Sequence, residues 1–385
     1  MTNGNNQREF FLDSIRAYLM LLGIPFHLSL IYSSHTWSVN SLTPSFSLTV
    51  LNDVIHAFRM QVFFIISGYF SFMLYQRYER KRWLKVRLER VAIPLLSSIP
   101  LITLPQFFLL KYATHKLDGW DGFDLYQKIN VAVWELVSHL WFLLTLSLLT
   151  CAAFYLFRKI KAIKTPIAPF PINNMNSLGK ISLYFFIYGI AYSAAHRIIL
   201  ITAPQLPGNG LFNFVVMETL FYLPFFLLGA YAFKYAWLKE IFLTPSPKAV
   251  LGALLLFIAY MLNQKLLAHS DLMFEVEVLI KIVLGILMTN VVFSFGHRLL
   301  NYHSPRITYL VNASLFIYLV HHPLTLLYGA FVTPYISNNI VGFLVGLVFV
   351  FGLAFILYEA HKRVPLLRFL FSGKPQTPKL PLTKA

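Results

Sequence analysis

Residues 54–90 read VIHAFRMQVFFIISGYFSFMLYQRYERKRWLKVRLER. The first part, 54–76, is an apolar run of the roughly 20 residues needed to cross ~30 Å of hydrocarbon. It stops at a dense basic stretch: Arg77, Arg80, Lys81, Arg82, Lys85, Arg87 and Arg90. Positive charge gathered beside a membrane span marks the cytoplasmic side, so this stretch fixes an orientation as well as a fold class. Composition points the same way, because a chain of 385 residues that is 57% hydrophobic and 12% charged is too apolar for a water-soluble core. The net charge of +17 raises the question of nucleic acid, but the 32 Lys and Arg residues lie almost entirely between apolar runs rather than on one patch. Cys151, the single cysteine, excludes an intramolecular disulfide and a cysteine metal cluster, and its apolar setting reads as a small buried residue.

Working outward, apolar runs recur at about 10–32, 54–76, 91–110, 131–157, 181–201, 213–233, 248–267, 276–296, 308–330 and 339–358. The expectation is an all-α polytopic membrane protein of about ten transmembrane helices. The first run contains Asp13 and Arg16 and lacks a small-residue cleavage pattern, so it reads as a retained helix rather than a signal peptide. Alternation from the basic stretch puts Arg158, Lys159, Lys161, Lys164, Lys180, Lys234, Lys239, Lys248, Arg298 and Arg306 on the inner side. Only Lys111, Lys116, Lys128 and Lys265 fall outside. An even helix count returns the tail to the cytoplasm, where it carries Lys362, Arg363, Arg368, Lys374, Lys379 and Lys384, so both termini are expected there. Residues 1–372 form the membrane domain and 373–385 a basic, proline-rich cytoplasmic tail; the proline-containing stretch 165–175 reads as an irregular connector.

An ionisable side chain inside the bilayer costs at least about 2.5–3.5 kcal/mol on insertion scales, so such residues mark function. Arg16 and His27 lie eleven residues apart; at ~100° per residue they share a helix face, ~16 Å apart in depth. Asp13, one turn before Arg16, is placed for an intrahelical ion pair. Pro25 is expected to kink this helix just before His27. Arg16 also reads as a snorkelling anchor, and His27 as a histidine satisfied by a neighbouring hydroxyl. The topology places His56, Arg59, Glu135, His139, His196, Arg197, Glu218, Lys281, His321 and His322 in the outer halves of other helices, which implies a polar chamber opening outward. None of these histidines has the paired spacing of a helical metal site, so no metal is expected. On the inner side Arg87 and Arg90 face the same way, three residues apart. Guanidinium forks suit phosphate oxygens, although the same charges also serve topology alone.

Together these residues resemble the membrane acyltransferase-3 family, whose first-helix signature sets ten residues between a basic residue and a histidine, as between Arg16 and His27. The resemblance continues through Phe63-Phe64-Ile65-Ile66-Ser67-Gly68-Tyr69-Phe70, the pair Arg87 and Arg90, His139-Leu140-Trp141-Phe142-Leu143 and Tyr318-Leu319-Val320-His321-His322-Pro323. It implies a bacterial inner-membrane enzyme that passes succinyl groups from succinyl-CoA to glucose hydroxyls of osmoregulated periplasmic glucans. Succinyl-CoA enters as a substrate, with no permanently bound cofactor. On this reading His27 is a general base or carries the acyl group itself, and Arg16, paired with Asp13, orients the donor. Arg87 and Arg90 take its phosphates, and Ser67 with Gly68 permits close helix approach. Arg59, His56, His139, His321 and His322 meet the succinyl carboxylate or the sugar. A transporter exporting an acylated glucan or a small acid is the alternative.

Overall fold

The computed structural model describes residues 9–114, 116–163, 174–268, 270 and 272–374. Among them there is no strand, and ten helical segments are long and apolar enough to cross a membrane. In chain order these spans are Phe10–Tyr32, Phe46–Arg77, Arg80–Ala113, Leu125–Ala162, Ser177–Thr202, Gly210–Lys234, Pro247–Leu266, Met273–Leu300, Pro305–Tyr335 and Asn339–His361. All ten correspond to expected runs, including the fifth and seventh, where polar residues lie close by. The starts differ most: spans 2, 3 and 4 begin well before their apolar runs. Hydropathy marks the part of a helix that lipid can cover, whereas Leu, Lys, Arg and Glu continue a helix happily in water. The basic stretch is therefore hardly a loop. Only Tyr78 and Glu79 interrupt the helix, and Arg80–Arg90 form the first turns of span 3. The connector 165–175 lies outside the described residues up to its residue 173, and so do Lys164 and the tail beyond Lys374.

Two short helices escaped the sequence reading because they are too short to span: Ala236–Leu243 after span 6 and Pro365–Ser372 after span 10. The second buries Phe371 and lies along span 3, where the Ser97 hydroxyl donates to the Leu370 carbonyl at 2.7 Å. Gly373 ends it in the left-handed region, φ 58°, and a Cβ there would sit 1.8 Å from the Glu89 carbonyl oxygen. Only glycine allows that turn and that approach. Residues 373 and 374, read from sequence as the start of a tail, are thus seated against the basic end of span 3.

Span 1 is broken at Leu22 into Phe10–Leu21 and Gly23–Tyr32. Pro25 has no N–H for the carbonyl of Leu21, so the ladder fails one turn before the proline, close to the expected kink. The tightest crossing joins spans 2 and 6. A Cβ on Gly68 would lie 1.8 Å from the Phe226 carbonyl oxygen, and one on Gly229 1.9 Å from that of Ile65. The two backbones touch across paired glycines, the close helix approach expected of Gly68. Cys151, expected to be buried, is exposed on the outer surface of span 4. Its thiol is apolar enough to face lipid, so an apolar sequence neighbourhood did not imply burial in protein.

Candidate active site

Several spans lose regular helix geometry partway along their length. Besides Leu22 in span 1, span 3 has a π-turn at Ile99–Thr103, span 6 has one at Asn213–Met217, and span 4 passes through a 3₁₀ turn at Ser138–Leu140. Ser138 adopts φ 34°, the single non-glycine residue with positive φ among the described residues. Such a conformation costs about 1–3 kcal/mol and persists where surrounding structure imposes it. Its effect is local and visible: it turns His139 into the interior.

A cavity of about 250 Å³ opens beside the breaks in spans 1, 4 and 6. His27 of span 1, His56 and Arg59 of span 2, His139 of span 4, Glu218 of span 6, Lys281 of span 8 and His321 of span 9 all line it. His27 is ringed by imidazoles, with His322 at 4.7 Å and His321 at 5.2 Å between ring centroids, and His139 stacks on His322 at 4.7 Å. Three of these rings have a fixed hydrogen position, since a carbonyl oxygen only accepts. His139 Nε2 faces the Leu319 carbonyl at 3.0 Å, His321 Nδ1 that of Tyr318 at 2.6 Å, and His322 Nδ1 the Gln106 amide oxygen at 2.8 Å. In each neutral ring the other nitrogen is left as an acceptor. Tyr318 donates to the backbone carbonyl of His139, which ties span 9 to the strained turn. Gln106, Tyr318 and Tyr222 belong to this site and went unassigned in the sequence, where one amide or phenol in an apolar run carries no periodic signal.

His27 Nδ1, His139 Nδ1, His321 Nε2 and Arg59 Nη1 are buried without a hydrogen-bond partner. Buried polar atoms without partners are rare, and four around one cavity form a set of contacts for a bound molecule. Arg59 lies over the Phe26 ring at 4.9 Å. Gly23 makes room for this convergence: a Cβ there would meet His321 Nε2 at 3.0 Å and Arg59 Nη1 at 3.5 Å. At the cavity edge Lys281 Nζ bridges His56 Nε2, 3.0 Å, and Glu277, 3.2 Å.

The other members of the expected outer chamber lie elsewhere. His196 and Arg197 gather around Glu275, each at 3.8 Å, and Glu135 holds Lys116 at 2.9 Å. The spans that carry these residues were legible from sequence; the helix face was not. Among the described residues no three His, Cys, Asp or Glu side chains are grouped so as to hold a metal ion.

A second cavity of about 250 Å³ lies toward the basic end. Arg16, Arg87, Arg90 and Lys374 line it, so it is strongly cationic. Arg16 reaches Asp13 at 3.1 Å, as the spacing predicts, and sits 5.1 Å from the Phe70 ring. Arg87 Nε and Nη2 are buried without a hydrogen-bond partner. Met20, Phe63 and Phe142 line both cavities, so one apolar wall divides a cationic chamber from an imidazole chamber. Arg16 and His27, sharing a helix face, open onto opposite sides of that wall. Lys374 was missed because it stands beyond the last span and returns only through the turn at Gly373.

Comparison with known proteins shows the family of the chain. The acyltransferase domain model matches residues 9–359. Glucans biosynthesis protein C of Salmonella heidelberg (strain SL476) is 60% identical over 368 residues, covering 96% of this chain and 95% of its own. The proteins of the same name from Salmonella agona (strain SL483) and Salmonella enteritidis PT4 (strain P125109) are each 59% identical over the same coverage. No solved structure matches. The family match takes in every residue lining the imidazole cavity and most of those lining the cationic one, and it favours catalysis over export: the chain belongs to the acyltransferase domain family and is a membrane-bound acyltransferase, class 2.3.1.

Proposed function

We propose that the protein moves a succinyl group from succinyl-CoA, bound at the basic end in the cytoplasm, to a glucose hydroxyl of a periplasmic glucan, within the bacterial inner membrane. Its relatives are named for glucan biosynthesis, which supports the acceptor. The observation that carries the reading is the meeting of two unlike chambers at one wall. The cationic chamber suits the phosphates of a coenzyme A thioester, with Arg87 and Arg90 as forks and Arg16 held by Asp13 behind them. The thin pantetheine arm passes the wall at Met20, Phe63 and Phe142 and presents its thioester to His27.

There His27 takes the proton of the glucose hydroxyl and the sugar oxygen attacks the thioester carbonyl. The C–S bond breaks, and the proton passes to the departing thiolate, giving free coenzyme A and a glucan ester. The alternative role reaches the same products in two steps: a ring nitrogen of His27 displaces the thiolate and forms a C–N bond to the acyl group, and the sugar oxygen then breaks that bond to give the ester, so donor and acceptor visit in turn. Arg59, with its unpartnered Nη1, receives the succinyl carboxylate, while His56, His139, His321 and His322 accept sugar hydroxyls or hold the rings that do.

The reading is tested in vesicles that hold labelled succinyl-CoA on one side and glucan on the other. Labelled glucan is expected, and folded protein giving none would return the export alternative. Replacing both Arg87 and Arg90 by Ala should raise the KM for succinyl-CoA by about 10–100-fold, the worth of a charge-assisted contact or two, with a smaller change in kcat. An unchanged KM would reduce the pair to topology signals. Arg59→Gln should lower the preference for succinyl-CoA over acetyl-CoA about tenfold or more, through a loss on succinyl alone, because acetyl has no carboxylate to pair. Equal losses on both donors would remove Arg59 from donor selection.

A further inference from the structure

At the end of the bundle opposite the basic stretch lies a larger groove, of about 1090 Å³. It is bounded by the segment between spans 1 and 2, the segment after span 3, and the turn between spans 9 and 10. These segments are strapped together. The Asn339 amide donates to the Thr43 carbonyl at 2.7 Å, the Ser41 N–H donates to Ile31, and His35 pairs with Asp53 at 2.7 Å, a carboxylate contact that holds its imidazole above the usual range. The groove is therefore a built surface rather than a gap between loose loops.

Its chemistry is that of a neutral polyol site. Nine of its nineteen lining residues are Ser, Thr or Asn, and its single charge, Lys116, is neutralised by Glu135 at 2.9 Å and bonded to the Ser38 hydroxyl at 3.0 Å. An anionic ligand gains little here, and a lipid tail would strand the hydroxyls. Two aromatic rings, Trp37 and Tyr335, stand in the lining, and Tyr335 is 87% exposed. Faces of this kind stack on the C–H surface of a sugar ring while hydroxyl and amide side chains meet its rim. The volume exceeds the ~300–1,000 Å³ of small-ligand pockets, which suits several sugar units rather than one.

The groove is also continuous with the chemistry. Trp37 lines it and at the same time lies 5.8 Å from the His27 ring and 5.6 Å from His322, centroid to centroid. We propose that this groove is the acceptor subsite: it holds a stretch of neutral oligosaccharide, with Tyr335 at the open end and Trp37 delivering one sugar ring to His27. The proposal rests on the acyl-transfer reading for its acceptor class and adds where the chain lies and which residues grip it.

The test measures binding without chemistry. Purified full-length protein carrying His27→Ala is titrated with unsubstituted neutral periplasmic glucan, and with glucose, in the absence of donor. Glucan is expected to bind this variant, and glucose far more weakly. Adding Tyr335→Ala, at a residue too exposed to matter for folding, should raise the glucan Kd about tenfold. Ser337→Trp, which fills the groove from an exposed position, should abolish binding. In the otherwise native protein both changes should raise the KM for glucan and leave the KM for succinyl-CoA alone. Glucan that fails to bind, or binds equally with the groove blocked, overturns the subsite. Groove-dependent binding without any transfer by native protein would instead sink the acyl-transfer reading and leave the groove standing.

Discussion

Substituting His27 with Ala is expected to lower glucan succinylation by about 10²–10⁴-fold, the usual contribution of a positioned general base, and by more if the ring carries the acyl group. The protein should remain in the membrane at normal abundance. Among the described residues the His27 side chain makes no hydrogen bond, and it already borders a cavity, so truncation neither orphans a buried partner nor opens a void in tight packing. The loss therefore reports chemistry and not folding. Labelled succinyl transfer in membranes, normalised to protein by immunoblot, measures it, and retained transfer would remove His27 from the reaction. Incubating native protein with succinyl-CoA alone separates the two roles: a succinyl mass on the peptide containing His27 identifies the acyl-imidazole, and its absence during active turnover the base.

The second large effect concerns stability. Gly68→Ala should destabilise the protein by about 3 kcal/mol or more, at the top of the range for overpacking, despite the roughly 1 kcal/mol that alanine gains over glycine within a helix. The new methyl would fall 1.8 Å from the Phe226 carbonyl oxygen, a backbone atom with no rotamer to retreat to. Spans 2 and 6 must separate instead, and they carry His56, Arg59 and Phe63 on one side and Glu218 and Tyr222 on the other. Thermal melting in detergent should fall by many degrees, and activity should fall with it. Melting equal to native would mean that the two helices do not cross where the structure places them.

These two residues also show how much was legible beforehand. Gly68 was readable as a close-approach glycine because it follows a small residue, Ser67, inside an apolar run; its partner Gly229 was not, since nothing in the sequence says which helices meet. Helix count and depth came from hydropathy and charge, two signals that lipid and the positive-inside rule impose residue by residue. Azimuth did not. Thus His27, His56, Arg59, His139 and His321 share a cavity, while His196 and Arg197, equally polar, gather around Glu275. Trp37 had no signal at all: it sits outside every span and reaches His27 only because its connecting segment folds back over the bundle. Arg87 was readable from composition and spacing, but its companion Lys374 depends on a single left-handed glycine.

The wall of Met20, Phe63 and Phe142 bears on the economy of the cell as much as on the reaction. A bacterium stores energy as an ion gradient across its inner membrane, and a protein with hollows at both ends of a helix bundle threatens to short-circuit it. Three side chains without a polar hydrogen to pass along offer a proton no relay between the hollows, while on the proposed reaction the thin arm of the donor passes between them. Insulation and access are set by the same three residues.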